Sequence, residues 1–255
     1  MNPLQRTLIE KAGHDNGFEH VLPSTETVTL ASARHRTRAE VSLSPSNEFD
    51  TRFQSASPAL LSELRRSFGD GIKNAASFHA ATLADLSQLL RRAARLSQAL
   101  PNQAERDYQT AVQQALAQLP PGSQGTEIER MARQRIGQDR YRAAMLDYWS
   151  GVCAVTGVAI PEVLRASHAK PWAECESDAE RLDAFNGFLL VANLDTLFDR
   201  FPISFDGVWH LLISDCLSPN DRQGLEIHPE MKLRWLTREH QHYLQWHREH
   251  FLLGV

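Results

Sequence analysis

CAVTGVAIPEVLRASHAKPWAECESDAERLDAFNGFLLVANLDTLFDRFPISF, residues 153–205, holds the side chains that decide how this chain reads. They fall in three clusters. The first is ASHAKPW, residues 166–172, where His168 ends an apolar segment and Pro171 forces a turn on the residues before it. The second is Asn186-Gly187, a turn dipeptide that enters the apolar run FLLVANL. The third is NLDTLFD, residues 193–199. Its carboxylates Asp195 and Asp199 are four residues apart, so a helix places them on one face within reach of one hard cation. Their neighbours Leu194, Leu197 and Phe198 mark a half-buried segment, where paired like charges cost stability unless a cation offsets them.

Around these clusters, periodicity predicts short strands at 152–155 and 163–167, an acidic loop at 174–183 with no assigned role, and a helix at 191–199. Strands at 203–205 and 209–213 follow, and a helix at 237–251 closes the chain. Asp195 and Asp199 lie nine and thirteen residues beyond Asn186. A lone His168 reads as a hydrogen-bonded structural histidine; the ordered asparagine and carboxylates behind it turn the reading towards a site.

CAVTG, ASHAKPW, RLDAFNGFLLVANLDTLFDR and ISFDG, in this order, resemble the HNH endonuclease family, and its bacterial branch with C-x-[VI]-T-G and LDxLFD motifs in particular. The resemblance covers about residues 126–255. It implies a ββα-metal core, in which a hairpin carries the base histidine and the next helix carries metal ligands. His168 then stands at the general base and Asn186 at the asparagine that braces the loop. Asp195 stands at the metal-ligand position, with Asp199 one turn later as second ligand or support. Many members have Asp or His before the base histidine where this chain has Ser167, and many have His where it has Asp195. Zinc-braced members carry two CxxC pairs, which are absent here, so Cys153 reads as a buried apolar residue.

The implied activity is metal-dependent hydrolysis of DNA phosphodiesters, with Mg²⁺ or Mn²⁺ favoured by carboxylate ligands, in a bacterial restriction or defence enzyme acting on double-stranded DNA. A DNA-binding protein that keeps the fold without turnover, and an RNA-directed or toxin nuclease, are the alternatives. Lys170 and Arg200, beside the first and third clusters, are candidate phosphate contacts by sequence proximity.

Working outward, TEIE at 126–129 has the capping-box pattern and opens a helix to about residue 149, after the linker PPGSQG at 120–125. Helical periodicity covers 104–119 and 75–100, the second with Arg91, Arg92 and Arg95 towards its end. Residues 28–44 alternate as a strand or hairpin arm, with Arg34, Arg36, Arg38 and Glu40 on one face, a candidate phosphate-tracking surface or a solvated edge. The expected organisation is α+β: a mixed α+β target-recognition or dimerisation domain at 1–100, a helical connector at 101–125 and a ββα-metal nuclease domain at 126–255. Dimerisation to a homodimer would let a one-site chain cut both strands.

Composition sets the outer bounds. The chain has 255 residues, 42% hydrophobic and 23% charged, which is globular composition and long enough for two units. Net charge is −4, with 12 basic against 10 acidic residues in 1–100 and 15 against 21 in 101–255, a balance that neither demands nor forbids nucleic acid. Apolar runs are far short of the roughly 20 residues of a membrane span, and the first residues lack a signal-peptide core, so a cytoplasmic protein without membrane partners is expected. Cys153, Cys175 and Cys216 have no metal-tetrad or disulfide-framework spacing. His240, His242, His247 and His250 read as packing plus a solvated helix edge.

Overall fold

The alternating stretch that begins at Val28 builds two strands rather than one. In a computed structural model, which describes residues 1–55, 57–69, 72–74, 77–118, 125 and 127–253, it forms β2 (Val28–Ala31) and β3 (Arg38–Leu43). Arg34 and Arg36 fall in the connection between them, so only Arg38 and Glu40 keep the expected strand face. Glu40 there pairs across the ladder with Arg52 and accepts a bond from Gln54 Nε2 at 3.2 Å.

The chain divides into two units, Met1–Gln103 and Ala104–Val255. In the first, β1 (His20–Leu22), β2, β3, β4 (Phe49–Gln54), β5 (Ile72–Asn74) and β6 (Ser77–Ala80) form an antiparallel sheet in the order β1-β2-β3-β4-β6-β5. Helices α1 (Pro3–Asp15), α2 (Ala59–Ser67) and α3 (Leu83–Ala99) pack together, with α1 against β2 and α3 against β6. The core is Ile9, Val28, Leu30, Ala39, Val41, Leu60, Leu64, Leu86, Leu90 and Ala93.

The helix expected over 75–100, whose first two residues lie outside the described ones, is a strand and a helix over 77–100. Phe78 fits a helical repeat and a strand equally well, and β6 claims it because Ser77, Phe78, His79 and Ala80 each find a partner on β4. The helix begins at a capping box instead: Thr82 Oγ1 accepts from the Asp85 N–H at 3.1 Å, and Asp85 Oδ2 accepts from the Thr82 N–H at 3.0 Å.

The second unit contains α4 (Gln103–Leu116, whose first residue belongs to the first unit), α5 (Glu127–Tyr148), the hairpin β7 (Leu164–His168) and β8 (Gly187–Val191), and α7 (Ala192–Asp199) directly after it. A short α6 (Asp178–Arg181) sits in the hairpin connection. The hairpin β9 (Ile203–Phe205) and β10 (Leu211–Ile213), α8 (Pro219–Gly224) and α9 (Gln241–Leu253) complete it. Most of the linker expected at 120–125, and Thr126 of the expected capping box, lie outside the described residues. Residues 152–155 are a tight loop rather than a strand: the Cys153 N–H closes on the Val158 carbonyl at 2.8 Å, and Gly157 takes φ +76°. The strand expected at 209–213 begins two residues later because Trp209 has φ +86°, outside strand geometry. Among the described residues, no helix is long and apolar enough to cross a membrane.

The ββα segment sits over an aromatic core. Leu194 and Phe198 turn the inner face of α7 onto the hairpin, and Phe198 meets Phe188 of β8 and Phe205 of β9 at ring separations of 5.6 and 5.7 Å. From α9, His247 stacks on Phe198 at 3.8 Å, with Nδ1 at 2.9 Å from Ser204 Oγ and Nε2 donating to the Phe198 carbonyl at 2.8 Å. His247 is buried packing.

Candidate active site

β7 pairs with β8 in a register that sets His168 opposite Gly187. Gly187 has φ +155°, and a Cβ there would run into the Ser167 carbonyl and the Tyr141 hydroxyl, so the Asn-Gly pair is required by space as well as by the turn.

His168 is half-buried. Its Nε2 lies 2.9 Å from the Arg181 carbonyl, which can only accept, so the ring proton sits on Nε2 and the lone pair on Nδ1. Burial pushes the imidazole pKa down to about 4, against the opposing pull of that carbonyl, so the ring is neutral at neutral pH. Tyr141 of α5 stacks on the ring at 3.7 Å and 17°, and Trp172 stands edge-on at 6.0 Å. Trp172 in turn lies over Gly137 of α5, where any side chain would meet the indole.

Asn186 is fully buried and is the tie of the hairpin connection. Its Oδ1 accepts from the Lys170 N–H at 2.8 Å. Its Nδ2 donates to the carbonyls of Lys170 at 3.1 Å and Glu180 at 3.2 Å, and approaches Cys175 Sγ at 3.4 Å. The connection is therefore held at both ends by one amide.

The acidic stretch at 174–183, given no role from sequence, does much of this positioning. Ser177 caps α6, whose Arg181 carbonyl fixes His168 and whose Glu180 carbonyl holds Asn186. The Arg181 guanidinium ties the Trp172 and Cys175 carbonyls at 3.1 and 2.6 Å. Glu180 also binds the Lys170 ammonium at 2.7 Å, both side chains being largely buried, so Lys170 is occupied within the loop rather than presented as a phosphate contact. Asp183, half-buried behind the loop, accepts from the Phe185 N–H and the Tyr243 hydroxyl, and burial raises its pKa to about 6.

On α7, Asp195 is half-buried, and burial raises its pKa. The Asp199 charge one turn on acts in the same sense, while Ser167 and Arg165 favour the ionised form. Among the described residues, the buried Ser167 hydroxyl has no partner at hydrogen-bond distance, yet it faces Asp195 closely enough to have that effect. Asp199 and Arg200 are exposed, 3.9 Å apart, with the Arg200 side chain 80% accessible. The structure thus sets Ser167 of β7 beside Asp195 of α7, with Asp199 one turn on and Arg200 at the end of the same helix, while His168 and Asn186 are held in the hairpin and its connection; Arg34, Arg36 and Arg38 belong to the other unit. Tyr141, Trp172 and Arg181 were not identified from sequence.

Among the described residues, no three His, Cys, Asp or Glu side chains group as a metal cage. An unbonded buried hydroxyl next to a carboxylate whose charge is disfavoured, with a second carboxylate one turn on, fits a hard cation that keeps several waters and takes one or two carboxylates plus substrate phosphate.

A hairpin whose first strand ends in a neutral histidine, whose connection is braced by an asparagine just before the second strand, and which runs straight into a carboxylate-bearing helix is a ββα unit. In agreement, residues 153–206 match the model of the HNH endonuclease family. No curated protein matches the chain.

Proposed function

We propose that the chain is a metal-dependent DNA endonuclease of restriction or defence type, hydrolysing phosphodiester bonds at the site on β7, β8 and α7. The observation that carries this reading is the His168 ring, fixed through Nε2 to a backbone carbonyl so that Nδ1 offers its lone pair. A neutral imidazole held in one orientation can take the proton of an attacking water. Asn186 keeps the loop that aims it. Asp195 and Asp199, with the Ser167 hydroxyl, would hold a Mg²⁺- or Mn²⁺-like ion, which supplies charge stabilisation at the phosphate and the leaving oxygen, worth several kcal/mol. The accessible Arg200 suits a neighbouring phosphate better than the ion-paired Lys170. The first unit, with Arg34, Arg36 and Arg38 exposed, is assigned to target selection.

The test is plasmid cleavage by the protein and by His168→Ala, on unmodified and cytosine-modified DNA, in Mg²⁺, Mn²⁺ and chelator. Metal-dependent cutting lost in the variant, with DNA binding kept, is expected. A cleaving His168→Ala protein overturns the base assignment, and absence of cutting by the wild type moves the reading to a binding protein or an RNA substrate.

A further inference from the structure

Helix α5 lies outside the segment that matches the HNH family, yet it clasps β7 at both ends. Arg142 donates to the Leu164 carbonyl at 2.7 Å and to the Pro161 carbonyl at 3.1 Å, fixing the start of the strand. Its neighbour Tyr141 fixes the end. The Tyr141 hydroxyl donates to the Asn186 carbonyl at 2.9 Å and lies 3.3 Å from the Ser167 carbonyl, bridging the residues that flank the hairpin gap. The same ring covers one face of the His168 imidazole at 3.7 Å and nearly parallel. Tyr141 is buried, so the phenol stays a neutral donor.

We propose that Tyr141 is a positioning residue for His168: its ring fixes the plane of the imidazole and its hydroxyl locks the backbone on either side, so that Nδ1 keeps one direction while Nε2 stays on the Arg181 carbonyl. A single hydrogen bond to Arg181 leaves the imidazole free to swing about that bond, and the stacked phenol removes this freedom. The orientation of a base matters more than its presence, because a displacement of about 1 Å can cost roughly 100-fold in rate.

This inference rests on the nuclease reading for its rate effects, though its structural half does not. The test compares full-length wild type, Tyr141→Phe and Tyr141→Leu. Phe keeps the stack and loses the hydroxyl bridge, whereas Leu loses both. Against a short DNA duplex, kcat should fall about 10-fold in Tyr141→Phe and about 100-fold in Tyr141→Leu, with KM unchanged within about 2-fold. Side-chain ¹⁵N spectra should give one Nε2–H tautomer for His168 in the wild type and a mixture in Tyr141→Leu.

Wild-type kcat in a folded Tyr141→Leu protein, or a loss confined to KM, overturns the proposal. If Tyr141→Leu does not fold, Tyr141→Phe decides: unchanged kcat and an unchanged His168 spectrum overturn it. If the wild type cuts no nucleic acid, the nuclease reading fails, and the tautomer comparison alone tests the positioning; a single Nε2–H form in Tyr141→Leu then overturns it.

Discussion

Asn186 and Lys170 are joined by two opposed hydrogen bonds, the Lys170 N–H to Oδ1 at 2.8 Å and Nδ2 to the Lys170 carbonyl at 3.1 Å, so one buried side chain mimics a rung of sheet across the hairpin connection. The pairing explains why an amide, and not a carboxylate of the same shape, stands here. Among the described residues, Nδ2 faces acceptors alone: two carbonyls and the Cys175 sulfur.

Asn186→Asp should therefore be worse than its size suggests. It keeps the bond from the Lys170 N–H and turns the donor side into an acceptor against acceptors, each such unmet group costing about 1–3 kcal/mol. The expected outcome is a drop in urea midpoint larger than that of Asn186→Ser, followed by tryptophan fluorescence. Equal midpoints for Asp and wild type would mean that the Nδ2 bonds carry no weight.

Gly187→Ala tests the neighbouring constraint. A methyl group at φ +155° must move the Ser167 carbonyl or the Tyr141 hydroxyl, both parts of the site's backbone frame. Stability should fall by more than the roughly 1 kcal/mol typical of an average substitution, and cleavage with it. A thermal midpoint at the wild-type value would show that the frame gives way without cost.

The part of this architecture that the sequence makes legible is the part where side-chain identity carries the information. His168 falls at the end of β7 and Asp195 on α7, close to the strand and helix that the apolar patterning predicts, whereas the second strand, which Asn186 precedes, was implied by the resemblance alone. The positioning groups were less visible. Arg181 and Glu180 hold His168 and Asn186 through backbone carbonyls, which every residue type possesses, so no motif marks that part of their role. Tyr141 reaches His168 only through tertiary packing. In the first unit, Phe78 satisfied both a helical and a strand period, and only its pairing with β4 resolves the ambiguity. The arginine face failed for a related reason: alternation over 28–44 persists in the sequence even where the chain leaves the sheet to turn.

Asp195→Asn separates the cost of a charge from its use. Burial and Asp199 both disfavour the carboxylate, so removing its charge should leave the metal-free protein at or above wild-type stability in a thermal melt. Cleavage by the same variant should need a much higher concentration of Mg²⁺ or Mn²⁺. Unchanged metal dependence would remove Asp195 from the ligand set.

Acid stability gives the last prediction, and its sign follows from three groups of the second unit whose charged forms burial disfavours. His247 and His168 are both held near pKa 4 by burial, below the ordinary value of 6.5. Between pH 6.5 and about 4 the unfolded chain therefore binds protons that the folded chain refuses, and stability falls as pH falls. Asp183 works the other way. Its folded pKa of about 6 exceeds the ordinary 3.8, so between those values the folded chain holds the extra proton and gains stability as pH falls. Two histidines against one carboxyl leave a net uptake of about one proton on unfolding, or about 1.4 kcal/mol lost per pH unit between pH 6 and 4.5. His242, also lowered by burial, adds to the loss, and Asp195, raised by burial, works against it. All five tryptophans, Trp149, Trp172, Trp209, Trp235 and Trp246, lie in the second unit, so fluorescence-monitored urea unfolding in chelator reads this unit alone. His247→Gln should flatten the slope. A wild-type midpoint that stays level from pH 7 to 4.5 would show that these histidines are not held neutral in the fold.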